Sequence, residues 1–569
     1  MRSELRSCLR PWRRLLSLTG ALSLAGAAAC GGGDDRSPTT GDVGGTLVVV
    51  MPAEPGTLFP PQVTGTQGSA VISAIFGKLA DIGPALETYG DAGFQPQLAR
   101  SWQWAADSLS IAFTLDSAAH WHDGAPLRAT DVTYTFRVYT NDSVGADAKS
   151  LLSNIDSVTA PDARTAVFWF KRRTPQQFYD ATYPMYILPS HLLDTIPMEQ
   201  VGRAAFARNP GGTGRVRFAR WDAGQRIEVI ADTTNAAGRA KLDRVIWSIA
   251  PDFGAATVKL FAGEADLLEQ VRTENLPQLA QNPSLRLVVN PALSYNFLGF
   301  NQRNPADTAK AHPIFGDSLV RRALSMAVDR ARLVRNVLDS LGVVSLAPAP
   351  RALIADTTAF AQLPYDPAAA RALLDSAGWR DRDNDGVRDR DGVPLSFDIA
   401  VPNSSPTRQR FAVLLQEQFK AIGVKASPLL LEVNAFFERG GRLDFDAMIG
   451  GWAAFPGLVG IRQTWMSSGE SNELRYRNRT FDALVDSALS SFDREASRRL
   501  WGRAFQQVVN DAPAIWLYEQ RAPVALHKRF VVPPLRADGW WHGLADWSVD
   551  PAQRIDRDRI GLAAPGDAR

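Results

Sequence analysis

The sequence predicts a mixed α/β fold, and three features carry that expectation. Short runs rich in β-branched residues alternate with stretches of helical periodicity along most of the chain. Helix boundaries are marked locally, as where Asp366-Pro367 opens a helical stretch and Gly378 stops it. Hydrophobic residues make up 45% and charged residues 21%, the balance of a packed chain rather than a disordered or fibrous one. At roughly 150 residues per domain, 569 residues allow two to four domains.

In chain order, residues 45–51 read as a buried strand from their valines. Residues 68–78 mimic a phosphate loop, but the spacing is wrong and Leu79 stands where a Ser or Thr would hold Mg²⁺, so a glycine-bearing helix is expected. Strands follow at 109–115 and 166–170. His120 and His122 flank Trp121; with no third ligand nearby, exposed loop histidines are expected rather than a metal site. Residues 209–215 are glycine-rich without GxGxxG spacing and read as a tight loop. Further strands are expected at 226–231, 285–289 and 296–301, then helices at 317–328 and 329–341, the second capped by Asp329. A helix at about 406–422 places Phe411, Leu414, Leu415 and Phe419 on one face and ends at Gly423.

Between 381 and 392, Asp381, Asp383, Asp385 and Asp389 alternate around Gly386, as in a calcium loop. Gly392 occupies the twelfth position, where an EF-hand needs a bidentate Glu, so an EF-hand proper is excluded. A truncated turn holding a structural Ca²⁺ and a solvated acidic turn both stand; Arg382, Arg388 and Arg390 favour the second. No other cofactor is expected. There is no HExxH, GxSxG or CxxC. Of 15 tryptophans, Trp452 and Trp540 directly follow glycines, with Trp541 next, so their rings can line a cleft.

The first 29 residues read as an export signal. Arg2, Arg6, Arg10, Arg13 and Arg14 precede a largely apolar run from Leu15 to Ala29 that is short for a bilayer span. Ala27-Ala28-Ala29-Cys30 resembles a bacterial lipobox, which makes Cys30 the lipidation site and the chain extracytoplasmic, held to the bacterial cell membrane in the periplasm or on its outer face. Of two cysteines, Cys8 would leave with the signal, so the mature chain could form no internal disulfide. Residues 30–44 would then be the lipidated Cys and a flexible tether with a reach of roughly 20 Å. Lys+Arg and Asp+Glu, at 62 and 60, give no polyelectrolyte character, so no nucleic-acid partner is expected.

Taken in order, many short stretches resemble one family. Thr46-Leu47-Val48-Val49 with Glu54-Pro55 comes first, then Pro96-Gln97-Leu98-Ala99 with Ser101-Trp102. Trp121-His122-Asp123-Gly124 with Asp131-Val132 is the most specific; Gly211-Gly212-Thr213-Gly214, Leu298-Gly299-Phe300-Asn301, Val320-Arg321-Arg322-Ala323-Leu324, Ala377-Gly378-Trp379 and Tyr476-Arg477-Asn478 continue the order. The mature chain thus resembles the extracytoplasmic solute-binding proteins of bacterial ABC importers, family 5, which take peptides, nickel complexes and some oligosaccharides. The resemblance implies a two-lobed, periplasmic-binding-protein-like (type II) flytrap with an additional small α/β domain. It places lobe I at 45–80, 205–295 and 522–560, the inserted domain at 81–204 and lobe II at 296–521, with crossings near 295–300 and 517–522 as hinge.

It further implies a monomer that is not an enzyme, with a small-molecule or peptide ligand, ABC permease subunits as partners and only a lipid anchor in the membrane. Candidate ligand contacts are Trp452, Phe455, Tyr295 and Asn296, each equally a packing residue, and Arg462, which could meet a ligand carboxylate but for which a surface position is the favoured reading. Peptide binders of the family carry an Asp shortly after Gly-Trp for the ligand's ammonium; here Gly451-Trp452 runs on through Ala453-Ala454-Phe455-Pro456-Gly457 with no carboxylate. A buried ammonium needs a charged partner, so a sugar, a blocked peptide or an apolar solute competes with a free peptide. Two other classes fit the export signal: a glycosidase-like hydrolase and a flytrap-fold lipoprotein receptor or chaperone.

Overall fold

The computed structural model describes residues 43–558. The expected signal, Cys30 and nearly all of the tether lie outside the described residues. Two large sheets organise what is described. The first has seven strands in the order Leu285–Asn290, Ala522–His527, Leu267–Glu269, Thr46–Met51, Arg244–Ile249, Arg226–Ala231, Val216–Asp222. Thr46–Met51 runs parallel to both of its neighbours, and the other pairings are antiparallel. All six residues of this central strand are buried because the sheet is covered on both faces. Leu47, Val49 and Met51 enter one core, while Val48 and Val50 enter another with Leu260 and Leu268.

The second sheet has six strands in the order Gly342–Val344, Ala514–Gln520, Ser294–Phe300, Ala447–Ala453, Ser396–Pro402, Lys425–Leu431. Alternation decides its two cores as well: Leu298 and Phe300 face one, Tyr295 and Phe297 the other. The chain passes between the large sheets twice, through residues 291–293 and through Arg521.

A four-stranded antiparallel sheet, Ala99–Trp104, Ser110–Leu115, Thr165–Phe170 and Ile155–Thr159, is formed between the strands of the first large sheet in sequence. Its apolar face shares one continuous core with that sheet, in which Phe113, Phe168 and Phe178 lie in the same cluster as Trp247.

The helix signals act as the sequence predicts. The carboxylates of Asp317, Asp329 and Asp366 accept from the amides of Leu319, Arg332 and Ala369. Pro406–Lys420 buries Phe411, Leu415 and Phe419, and Gly423 follows with φ +78°, a conformation open to glycine without strain.

Candidate functional site

A cavity of about 490 Å³ lies between the two large sheets, beside the crossing at 291–293. The first sheet and its added domain supply most of the wall, including Lys78, Tyr139, Tyr183, Tyr186 and Glu269. The segment after the Ala522–His527 strand supplies Arg536, Asp538, Trp540, Trp541 and His542. Lobe II supplies Ala453, Ala454, Phe455 and Pro456 from the end of the Ala447–Ala453 strand. A smaller cavity of about 230 Å³ shares Leu151, Phe455 and Pro456 with it and reaches Trp452 and Tyr295.

Local folding fixes the Lys78 position. Helix Thr66–Ile75 ends at Phe76, and the Gly77 amide donates to Thr213 Oγ1 at 3.1 Å. The Lys78 amide donates to Gln97 Oε1 at 2.6 Å, and its carbonyl accepts from Leu98 N at 3.0 Å. The glycine loop at 211–214 presses on the same helix end: a Cβ on Gly212 would lie 2.0 Å from the Ile75 carbonyl oxygen. His122 secures that loop, with its Nε2 2.9 Å from the Gly214 carbonyl oxygen and its Nδ1 accepting from Gly212 N at 3.1 Å. The histidine is therefore half-buried, not the exposed loop residue the sequence suggests, because it closes a long-range contact. His120 makes no metal cluster with it among the described residues.

The cavity's ionic groups form one wall. Arg536 Nη1 lies 2.6 Å from Asp81, and its Nη2 2.7 Å from Asp538. Asp538 also accepts from the Tyr183 hydroxyl at 3.1 Å and lies 3.2 Å from His542. Burial alone would raise the Asp538 carboxyl; the hydrogen bond and charge of Arg536 outweigh it and hold the group below the usual carboxylate range. His542 is pushed down to about 4 by burial and so stays neutral at pH 7. Glu269 is raised by burial against the opposing hydrogen bonds from Trp540 Nε1 and Thr66 Oγ1. Burial pushes Lys78 down to about 8, and its Nζ lies 3.9 Å and 4.6 Å from the ring centroids of Tyr183 and Tyr186.

Away from the cavity lining, the added domain also touches lobe II directly. The Tyr89 hydroxyl donates to the Ser491 carbonyl oxygen at 2.6 Å, and Arg494 pairs with Glu87. These contacts are partly exposed, and such pairs contribute about 0–1 kcal/mol each, so they favour closure weakly.

The residues singled out in the sequence scatter around this geometry. Phe455 is half-exposed and lines both cavities; Trp452 is partly buried and lines the smaller one. Tyr295 also borders the smaller cavity but is 3% exposed, and its hydroxyl accepts from Trp465 Nε1 at 2.8 Å. Asn296 borders neither cavity; its side-chain oxygen accepts from Arg408 at 3.2 Å. Arg462 pairs with Asp486 at 2.7 Å beside a separate pocket. Trp540 and Trp541, placed at a cleft by their glycines, line the main cavity while nearly buried. Lys78 stands in the sequence only as the end of the false phosphate loop at 68–78, and Tyr183, Tyr186 and Glu269 carry no motif.

At the acidic turn, Asp381, Asp383 and Asp385 are exposed and bring carboxylate oxygens within 4.8 Å of one another. They accept amides of their own turn, from Gly386, Asp385 and Val387. Asp389 instead faces Arg382 at 3.2 Å.

Known proteins share this architecture. The oligopeptide-binding protein AppA of Bacillus subtilis is 29% identical over 487 residues, 84% of this chain and 86% of that one. Its structure in complex with a nonapeptide superimposes with a TM-score of 0.72 at 26% identity, covering 89% of this chain and 99% of that one. Heme-binding protein A of Haemophilus influenzae is 26% identical over 495 residues, 80% of this chain and 83% of that one. The model of bacterial extracellular solute-binding proteins, family 5, matches residues 93–472, two thirds of the sequence, and the two-lobed α/β fold is the one its solved relatives have. The chain therefore belongs to the bacterial extracellular solute-binding proteins, family 5.

Proposed function

We propose that this protein captures a peptide-like or other small solute between its lobes and delivers it to the permease of an ABC importer, while a lipid on Cys30 holds it outside the cytoplasm. The observation that carries the reading is the cavity of about 490 Å³ whose wall draws on both lobes at their crossing. A solute touching both walls favours the closed arrangement by its differential affinity, with residues 291–293 and Arg521 as hinge. Family membership and the names of the relatives, which bind oligopeptide and heme, support a binding role. A micromolar dissociation constant corresponds to about −8 kcal/mol, within reach of a buried cleft without chemistry.

Native mass spectrometry of the purified protein, compared with its denatured mass, tests this reading. A retained small molecule whose loss accompanies expansion in small-angle scattering supports it. If no solute from peptide, blocked-peptide, sugar and heme panels compacts the protein or raises its Tm, the reading fails.

One observation favours a second reading. Glu269 is raised and Asp538 lowered within the same cavity, the divergence that acid and base pairs of glycosidases show. Both carboxylates, however, are held by the chain's own donors. Turnover of an oligosaccharide mixture that Glu269→Gln abolishes would replace the binding reading. Calcium at the acidic turn stays a separate proposal, supported by the convergence of Asp381, Asp383 and Asp385. A Ca²⁺-dependent rise in Tm that Asp383→Asn removes would bear it out, and an unchanged Tm would dismiss it.

A further inference from the structure

We infer that the cleft selects solutes carrying an acidic group on an apolar or aromatic body, and that Lys78 receives that group. The inference rests on the cavity being the solute site. Every other buried ionic group in the cavity wall already has partners from the chain. Arg536 lies between Asp81 and Asp538; Asp538 also holds Tyr183, and Glu269 holds Trp540 and Thr66. Asp147, also on the wall, is exposed and solvated.

Lys78 differs. It is 7% exposed, and among the described residues its Nζ makes no hydrogen bond and no ion pair. Its contacts are the faces of Tyr183 and Tyr186, both on the cavity wall. Ring faces offset only part of the cost of burying an ammonium. Its backbone is held on both sides, the amide donating to Gln97 Oε1 and the carbonyl accepting from Leu98 N.

An oxyanion entering the cavity would give this ammonium the charge-assisted partner it lacks. The rest of the wall suits an apolar body: Tyr139, Trp540, Phe455, Pro60, Pro184 and Pro456. The same preference agrees with residues 451–457, which offer no carboxylate to a ligand ammonium.

Two fluorescent probes with one aromatic body separate the charge from the shape: anilinonaphthalene sulfonate, an anion, and N-phenylnaphthylamine, which lacks the sulfonate. At pH 7 the wild-type protein should bind the sulfonate at least about tenfold more tightly than the neutral probe. Lys78→Met should erase that preference and leave the neutral probe's affinity within about twofold.

A pH series on the wild type reads the same group without a variant. The preference should hold at pH 7 and fade as the pH rises past about 8, where Lys78 loses its proton. The groups around it do not change charge in that window. Asp538 remains ionised, Arg536, which pairs with Asp81, stays charged, His542 stays neutral, and burial holds Tyr183 and Tyr186 above the range.

Equal affinity for the two probes, or a sulfonate preference that Lys78→Met retains, would overturn the inference while the cleft reading stands. Phe455→Ala separates the two failures, because it should weaken both probes equally. If the neutral probe does not bind, or binds indifferently to Phe455→Ala, the cleft reading falls and takes the inference with it.

Discussion

Arg529→Met should cost the first lobe about 3–5 kcal/mol, the penalty for breaking a buried ion pair by removing one partner. Arg529 is 3% exposed, and its guanidinium lies 2.5 Å from Asp558 and 3.1 Å from Asp266, both buried. The cluster fastens the central strand of the first sheet. Arg529 donates to the Thr46 carbonyl oxygen at 3.0 Å, Asp558 accepts from Thr46 N at 2.8 Å, and Asp266 accepts from Val48 N at 2.9 Å. Met fills much of the space of the arginine stem, so the loss is chiefly electrostatic. Asp266 keeps Arg557, whereas Asp558 is left with amide donors alone. A fall of about 5–10 °C in the Tm of the transition that melts this sheet is expected.

The pH dependence gives an independent check. Burial would raise the Asp558 carboxyl, but the amides of Ile555 and Thr46 and the Arg529 contact hold it below the ordinary value. Its stabilising contribution in the wild type is therefore present above about pH 4 and is lost as the pH falls through the depressed value. Without Arg529 the buried carboxyl shifts upward and the folded variant takes up a proton more readily than the unfolded chain. The deficit measured by urea midpoints should narrow between pH 7 and pH 4. A deficit below about 1 kcal/mol, or one that does not narrow toward acid, would refute the reasoning.

Other consequences are shorter. Gly212→Ala places a Cβ 2.0 Å from the Ile75 carbonyl oxygen, so it should destabilise the protein by more than about 2 kcal/mol and weaken probe binding through the displaced helix end, as melting and fluorescence titration would show. Phe455→Ala, at a half-exposed position, should leave the ligand-free Tm within about 2 °C while lowering affinity; Trp452→Ala, packed against the lobe II core, should lower both. Removing the bridges between the added domain and lobe II with Glu87→Gln and Tyr89→Phe together should increase the radius of gyration of the ligand-free protein in small-angle scattering, with little change in Tm because both contacts are partly exposed. No expansion would show that the lobes are held by their hinge packing alone.

Local physics made much of the fold legible. The strand at 45–51 reads as buried because all of its side chains enter cores, and the helix starts at Asp329 and Asp366 read correctly because a cap is an interaction between neighbours in sequence. The two-lobed class came from the resemblance that the ordered short stretches bear to one family. Trp540 and Trp541 were visible as cleft aromatics from the glycines and rings around them, and Phe455 from its place after Gly451-Trp452.

The chemistry of the cleft was decided elsewhere. Lys78, Tyr183 and Asp538 stand more than a hundred residues apart, and only the tertiary fold brings them to one wall. Asp538 finds Arg536 and His542 within four residues of itself, whereas the surroundings of Lys78, two tyrosine faces more than a hundred residues away, depend on the tertiary structure. Partnership across the chain also sets the places of Asn296 and Arg462, which border neither of these two cavities and are met by Arg408 and Asp486. What the sequence by itself determined is the class of the more strongly patterned elements and, through resemblance, the family architecture. What only the tertiary structure decided is burial and partnership, and these set the charge that a solute meets in the cleft.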